Sequence, residues 1–411
     1  MRRDREGFDE AQSHRFSDNL GFELKNSRIL IVDDTLTVRA VIAGYLRNYG
    51  YVNLREACDG AEGLDIAHEW APDLIITDLM MPRIDGFELC HRLHSSPETA
   101  NVPILVQTAL NKSEERSAVF SAGAADLISK PIDPQELLGR VRTHLEKRRL
   151  IARLSDFQRR MENELALART MQESILPEDD ELAAISARYG VTLASHYEAS
   201  IGLGGDLWGL SPIDDDRLAV FSADFSGHGV GAALNTFRLH SFIVGGAVKA
   251  GSPAEWLSQL NVFFYDLLPA GQFATVFCAF IDFARNTFDY ASAGAPPPLL
   301  NSPDTAGSFQ SLDSAGYPIG LLSGARYENA TCAFPPGSTL FLYSDALIET
   351  PEPPNAVFTT HSLCEFLQSM SAGATPQEQK EKVLNHLRKT GMEKPEDDLT
   401  IVILKSRSAA P

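Results

Sequence analysis

Ile29-Leu-Ile-Val-Asp-Asp34 is an apolar run that ends in two carboxylates. Four consecutive apolar residues suit a strand buried on both faces, as in a parallel sheet. Three further runs follow the same plan. Leu74-Ile-Ile-Thr77 leads to Asp78, Pro103-Ile-Leu-Val106 to Thr108, and Ala125-Asp-Leu-Ile128 to Lys130 and Pro131. Amphipathic stretches lie between them, Thr37 to Tyr49 and Ala61 to Trp70 among them. This alternation predicts a doubly wound α/β unit from Arg28 to about Leu145. In such a sheet the strand ends converge on one edge, where ligands bind. Asp33, Asp34 and Asp78 can there hold a hard cation such as Mg²⁺ through oxygen. One carboxylate can act as a nucleophile toward phosphorus, while a hydroxyl and a lysine grip the phosphoryl oxygens. A lone strand-end Asp is ordinarily a cap or turn residue. Four such elements in register favour the pocket.

At these residues the chain resembles response-regulator receiver domains. Asp33-Asp34, Asp78-Leu-Met-Met-Pro-Arg-Ile-Asp-Gly86, Thr108-Ala109 and Lys130-Pro131 carry the resemblance. It implies a doubly wound parallel five-stranded sheet. It makes Asp78 the phosphoacceptor, Asp33, Asp34 and Asp78 the Mg²⁺ ligands, and Thr108 and Lys130 the switch pair. Leu127 stands where the family usually has Tyr or Phe.

Between Gln135 and Leu176 there is no proline, and apolar residues recur at Leu150, Leu154, Phe157, Met161, Leu165, Ala168, Met171 and Ile175. Steps of three and four mark one face of a long helix. Such a stripe needs a partner, either the chain's own domains or a second copy in a coiled coil. A homodimer through this linker helix is the expectation.

Beyond Gly190 short β-like runs prevail: Leu218 to Phe221, Ala274 to Ile281, Leu340 to Tyr343 and Leu399 to Ile403. Helical stretches run from Gly231 to Lys249, Pro253 to Leu268 and Pro376 to Thr390. The texture predicts an α+β sandwich with sheets inside and helices outside. Acids stand at four separated turns: Gly202-Leu-Gly-Gly-Asp206, Ala223-Asp-Phe-Ser-Gly-His-Gly229, Leu342-Tyr-Ser-Asp345 and Glu396-Asp-Asp-Leu-Thr400. Acids without paired cysteines or clustered histidines suit Mg²⁺ or Mn²⁺. Two such ions can activate a water for in-line attack on phosphorus. Asp214-Asp215-Asp216 lies between two strand-like runs and reads as a hairpin turn.

These motifs resemble the PP2C-type serine/threonine phosphatases of the SpoIIE/RsbU-like branch. Ala168-Arg-Thr-Met-Gln-Glu-Ser-Ile-Leu-Pro177, Phe273-Ala-Thr-Val276 and Gly316-Tyr-Pro-Ile-Gly320 add to the acidic motifs in family order. The resemblance implies two Mg²⁺ or Mn²⁺ held by Asp206, Asp224, Asp345 and Asp397 with the Phe225 carbonyl. Gly205, Asp398 and His228 would support these ligands. Ala346 and Ala295 stand where the family usually has Gly and often has His.

The expected division is a flexible arm over 1–26, a receiver over 27–146, a helical linker over 147–177 and a phosphatase domain over 178–408. A histidine kinase or phosphotransfer protein would phosphorylate Asp78. The implied substrate is a phosphorylated STAS-type anti-sigma-factor antagonist, whose dephosphorylation would release a sigma factor. A silent PP2C-like scaffold that binds such a partner is the rival reading. The net charge of −19 disfavours nucleic acid and anionic membrane surfaces. Five scattered cysteines without a CxxC pair, no apolar leader and no long apolar span predict a cytoplasmic chain.

Overall fold

In the computed structural model the described residues are 24–109, 113–200, 202–227, 229–245, 251–305, 308–313, 315–348, 358–370, 373–390 and 397–407. Residues 1–23 of the predicted arm and His228 lie outside them. The chain divides into two compact units, Met1–Arg160 and Met161–Pro411.

The first unit is built on five strands: β1 (Arg28–Val32), β2 (Asn53–Ala57), β3 (Leu74–Asp78), β4 (Ile104–Thr108) and β5 (Asp126–Ser129). All pairings are parallel, in the order β2-β1-β3-β4-β5. The helices are α1 (Leu36–Asn48), α2 (Gly60–Trp70), α3 (Gly86–Ser95), α4 (Ser113–Ser121) and the start of α5 (Pro134–Glu173). Successive strand residues face opposite sides. Leu30, Val32 and Ile75 therefore join one core with Ala67, Leu89 and Val119 of α2, α3 and α4. Ile29, Ile31 and Ile76 join another with Ile42 and Leu46 of α1 and Leu137 and Val141 of α5. Two covered faces are why the inner strands β1, β3 and β4 read as apolar runs, while the edge strand β2 does not. Asp59 caps α2 through the amides of Ala61 and Glu62, and Asp85 caps α3 through that of Glu88.

The second unit continues α5 and adds α6 (Asp179–Tyr189), β6 (Val191–Glu198), β7 (Asp206–Pro212), β8 (Arg217–Phe225), α7 (Val230–Val244) and α8 (Pro253–Tyr265). There follow β9 (Ala274–Asp282), β10 (Thr287–Ala293), β11 (Leu299–Asn301), β12 (Phe309–Ser311), β13 (Ala330–Ala333) and β14 (Thr339–Tyr343). The chain closes with α9 (Thr360–Gln368), α10 (Pro376–Lys389) and β15 (Leu399–Ser406). Two five-stranded sheets result, β13-β10-β9-β8-β7 and β12-β11-β14-β15-β6, each antiparallel throughout.

Trp208, Val220, Phe277 and Phe288 of one sheet meet Leu340, Leu342, Val402 and Leu404 of the other in the central core. The opposite face of the first sheet packs on α7 and α8, with Phe221, Leu239 and Trp256 buried. The second sheet packs on α9 and α10 through Phe341, Leu363 and Val383. Asp214, Asp215 and Asp216 form the turn between β7 and β8, where Asp214 accepts from the Arg217 amide at 2.9 Å.

Phe277 is 1% exposed, stacks on Phe288 at 6.5 Å and packs at a tilt on Tyr290 at 5.9 Å. Phe277→Ala is expected to destabilise the second unit by about 3–5 kcal/mol, read as a lower urea midpoint for its transition. No described helix is long and apolar enough to cross a membrane. The five cysteines are free thiols, with Cys90 and Cys278 buried and Cys58 exposed.

Candidate functional site

The parallel register of the first unit sets its site. Val32 pairs with Thr77, so the next residues, Asp33 and Asp78, emerge side by side. Asp78 pairs with Gln107, and Thr108 with Ser129, which brings Thr108 and Lys130 to the same edge. Carboxylate oxygens of Asp33, Asp34 and Asp78 lie within 4.8 Å of one another. Lys130 Nζ stands 2.7 Å from Asp78 Oδ1, which also accepts from the Leu79 amide at 2.7 Å. Thr108 is buried at the end of β4, and its carbonyl accepts from the Lys130 amide at 2.9 Å.

Asp33 is fully buried; Oδ1 accepts from the Thr35 amide at 2.8 Å, while buried Oδ2 has no partner among the described residues. Burial pushes the Asp33 carboxyl above its ordinary range, and Asp78 and Asp34 add to this against the opposing Thr35 amide and Lys130. An orphaned oxygen within three converging acids fits a hard divalent cation. Gly86 is required behind this edge. A Cβ there would collide with the Asp78 carbonyl, and the Gly86 amide donates to Leu79 O at 2.9 Å. Leu127, the departure from the aromatic residue, is 2% exposed in the core beside β4.

In the second unit the site lies where the two sheets part. Asp206 opens β7 opposite Asp224 near the end of β8, and Asp224 in turn pairs with Thr275. Both acids share the alternation of Trp208 and Val220, so they face the space between the sheets. Asp345 follows Leu342, Tyr343 and Ser344 off β14 and lines the same cavity as Asp206 and Asp224. Ser222, Thr275, Ala295 and Pro296 complete much of its wall.

Asp206 is 3% exposed. Its carboxyl is held well above the usual range, first by burial, then by Asp224, with Asp398 and Asp345 adding to the rise. The Phe225 carbonyl lies beside Gly205, where an added Cβ would sit 2.5 Å from that oxygen and 3.2 Å from Asp224 Oδ1. The donor set is thus all oxygen and carries accumulated negative charge, which fits divalent cations. The acids are more widely spread than those of the first unit. Among the described residues no trio outside Asp33, Asp34 and Asp78 comes within 4.8 Å.

The adjacent pair Asp397 and Asp398 divides its work. Asp398 is buried, and its two oxygens accept from the amides of Ser200 at 2.9 Å and Gly205 at 2.5 Å. It thereby pins the loop that carries Asp206. Asp397 is exposed, stands outside the cavity wall and accepts from the Asp398 amide at 2.8 Å. Ala346, which replaces the usual glycine, is 5% exposed and buries its methyl beside Leu347 in the outer core.

Two side chains had no role in the motif reading, although Thr400 closes the quoted Glu396 to Thr400 motif. Thr400 Oγ1 donates to Asp206 Oδ2 at 2.6 Å. It shares the inward alternation of Val402 and Leu404 on β15, a signal that could have found it. Tyr197 Oη is buried without a partner among the described residues, beside Gly204. Thr400→Val is expected to raise the Mn²⁺ half-saturation of the second unit about tenfold, since one hydrogen bond to a charged group is worth about 1.5–3 kcal/mol. A Mn²⁺ titration of activity measures this.

Both units resemble known proteins. Residues 29–142 match the family model described as the response regulator receiver domain, and residues 214–407 match that of stage II sporulation protein E (SpoIIE). Over 120 residues, 29% of this chain and 49% of the relative, the chain is 40% identical to the DNA-binding dual master transcriptional regulator RpaA of Synechocystis sp.. Over 200 residues, 47% of each chain, it is 30% identical to the phosphoserine phosphatase RsbP of Bacillus subtilis. The chain thus spans about half the length of these curated relatives. The SiaA-PP2C domain of Pseudomonas aeruginosa shares the second unit's fold, with a TM-score of 0.52 at 22% identity over 60% of this chain and 98% of that one.

The chain therefore joins a response-regulator receiver domain to a SpoIIE-like domain that has the fold of the SiaA-PP2C domain. The SpoIIE match contains Asp224, Asp345 and Asp397, while Asp206 stands ahead of it.

Proposed function

We propose that this chain is a response regulator whose output is dephosphorylation of a phosphoserine or phosphothreonine protein. The observation that carries the reading is the cross-strand pair of buried Asp206 and half-buried Asp224, which line one cavity with half-buried Asp345. The identity to a phosphoserine phosphatase over 200 residues supports it. Asp206, Asp224 and Asp345, with the Phe225 carbonyl, would hold two Mg²⁺ or Mn²⁺, and Asp397, which lies outside the cavity wall, is the fourth acid that the family resemblance implies. When bound, such ions supply an acidified water and neutralise charge on the phosphoryl oxygens. Asp398, Thr400 and Gly205 keep the Asp206 loop in place for that purpose. His228 is assigned a supporting role.

In the receiver, Asp78 Oδ attacks phosphorus of a phosphohistidine, the P–N bond breaks, and the aspartyl phosphate remains on the protein. Lys130 neutralises the added charge, Thr108 Oγ1 moves to accompany it, and Asp33 and Asp34 with Asp78 would hold Mg²⁺, which would offset charge on the phosphoryl oxygens. The donor is a histidine kinase or phosphotransfer protein. The substrate of the second domain is a STAS-type anti-sigma-factor antagonist, as the resemblance to the SpoIIE/RsbU-like branch implies.

The helix α5 keeps Leu150, Ile151, Leu154 and Phe157 exposed by 54–70%. A second copy covers this stripe in a homodimer. Phosphate release from a phosphoserine-bearing STAS protein, with and without Mn²⁺, tests the reading. Mn²⁺-dependent release supports it, and absence of release under either condition overturns it.

A further inference from the structure

Helix α5 enters the second unit with its polarity inverted. Among residues 161–173, Leu165, Leu167 and Met171 are exposed by 38–64%, whereas Gln172 is 2% exposed and is the buried residue of the stretch. Burying an amide is costly unless its hydrogen bonds are remade. They are remade on one loop. Gln172 Nε2 donates to Gly204 O at 2.7 Å, and Gln172 Oε1 accepts from the Gly204 amide at 3.1 Å. The same Nε2 also reaches Thr236 Oγ1 on α7 at 3.2 Å, and that hydroxyl donates onward to Ala233 O at 2.7 Å. Gly204 lies two residues before Asp206 and beside Gly205, whose amide Asp398 holds.

We propose that Gln172 is a positioning residue for the cation centre. Its side chain pairs with both backbone groups of Gly204 as a neighbouring strand would, and so sets where Asp206 and the Phe225 carbonyl stand. Two paired bonds fix the loop in direction as well as distance, which apolar packing alone does not. Gly204 leaves no slack for another arrangement, since a Cβ there would collide with Asp398 and Tyr197 Oη. Any shift of the last turn of α5 relative to α7 must then either break these bonds or move the loop. The inference rests on the phosphatase reading of the second unit.

The test measures Mn²⁺ binding by calorimetry in the full chain carrying Asp34→Asn and Asp78→Asn, which silences the receiver site. Gln172→Leu in that background is expected to weaken the remaining binding at least tenfold. The melting temperature without metal should stay within a few degrees. Gln172→Glu keeps the acceptor for the Gly204 amide but loses both donations, and should fall between. In the chain with an intact receiver, Gln172→Leu should raise the Mn²⁺ requirement of phosphate release and leave KM for the phosphoprotein unchanged.

Wild-type Mn²⁺ affinity in Gln172→Leu overturns the inference. So does loss of cooperative unfolding in both variants, which would make Gln172 a folding residue. Asp224→Asn is measured alongside. If it also binds Mn²⁺ normally, the cation centre itself is misassigned. If it alone weakens binding, only the role of Gln172 falls.

Discussion

Asp224→Asn is expected to lower Mn²⁺-dependent phosphate release by about a thousandfold or more, the scale on which removing one electrostatic stabiliser of a transition state acts. The side chain keeps its shape and loses its charge. It stands directly across from Asp206 on the neighbouring strand and helps to push the Asp206 carboxyl up, after burial itself. Activity within tenfold of the parent would remove Asp224 from the cation ligands.

A second readout has the opposite sign. With its folded pKa raised, Asp206 favours the native state below its ordinary value, and that contribution is lost as pH rises through the folded value. The cation-free second unit should therefore lose stability as pH climbs above the ordinary carboxylate range. Asp224→Asn relieves part of the repulsion, so this variant should melt higher than the parent without metal and gain less from Mn²⁺. Thermal melts across pH, with and without Mn²⁺, measure both effects.

Asp78→Asn is expected to abolish phosphoryl transfer from acetyl phosphate, seen as complete loss of the phosphoprotein band. Lys130 and the Leu79 amide both approach Asp78 Oδ1, so an amide in its place puts a neutral oxygen or an –NH₂ where donors converge. The fold should survive, because the strand pairing of Asp78 uses its backbone. If the units are coupled, acetyl phosphate alters either the phosphatase rate or the mass in solution of the parent, and neither in Asp78→Asn. Unchanged values in both chains would leave two independent domains on one polypeptide.

The receiver sheet was legible because its inner strands β1, β3 and β4 are buried on both faces. Each becomes an apolar run whose end marks the edge where ligands bind, whereas the edge strand β2, Asn53-Leu-Arg-Glu-Ala57, is largely exposed and carries no such run. The helices between the runs were found to within a residue at both ends, Thr37 to Tyr49 against Leu36–Asn48 and Ala61 to Trp70 against Gly60–Trp70. The sandwich was legible as a class, since its inward residues alternate between β-rich runs. Its pairing was not: β6 joins β15 across about half the chain, and no local signal specifies a partner so distant.

The chain's own residues determined which chemistry is available: carboxylate oxygens at strand ends, no CxxC pair, and one lysine beside the Asp78 carboxylate. Tertiary structure alone decided which acids share a space. Antiparallel register put Asp206 opposite Asp224, and the separation of the two sheets admitted Asp345 beside them. The same packing turned Asp398 onto backbone amides while Asp397 stayed at the surface, though the two are adjacent in sequence. Residue type sets what a group can bind, but distance and burial set what it does bind. Both are properties of segments brought together from far along the chain.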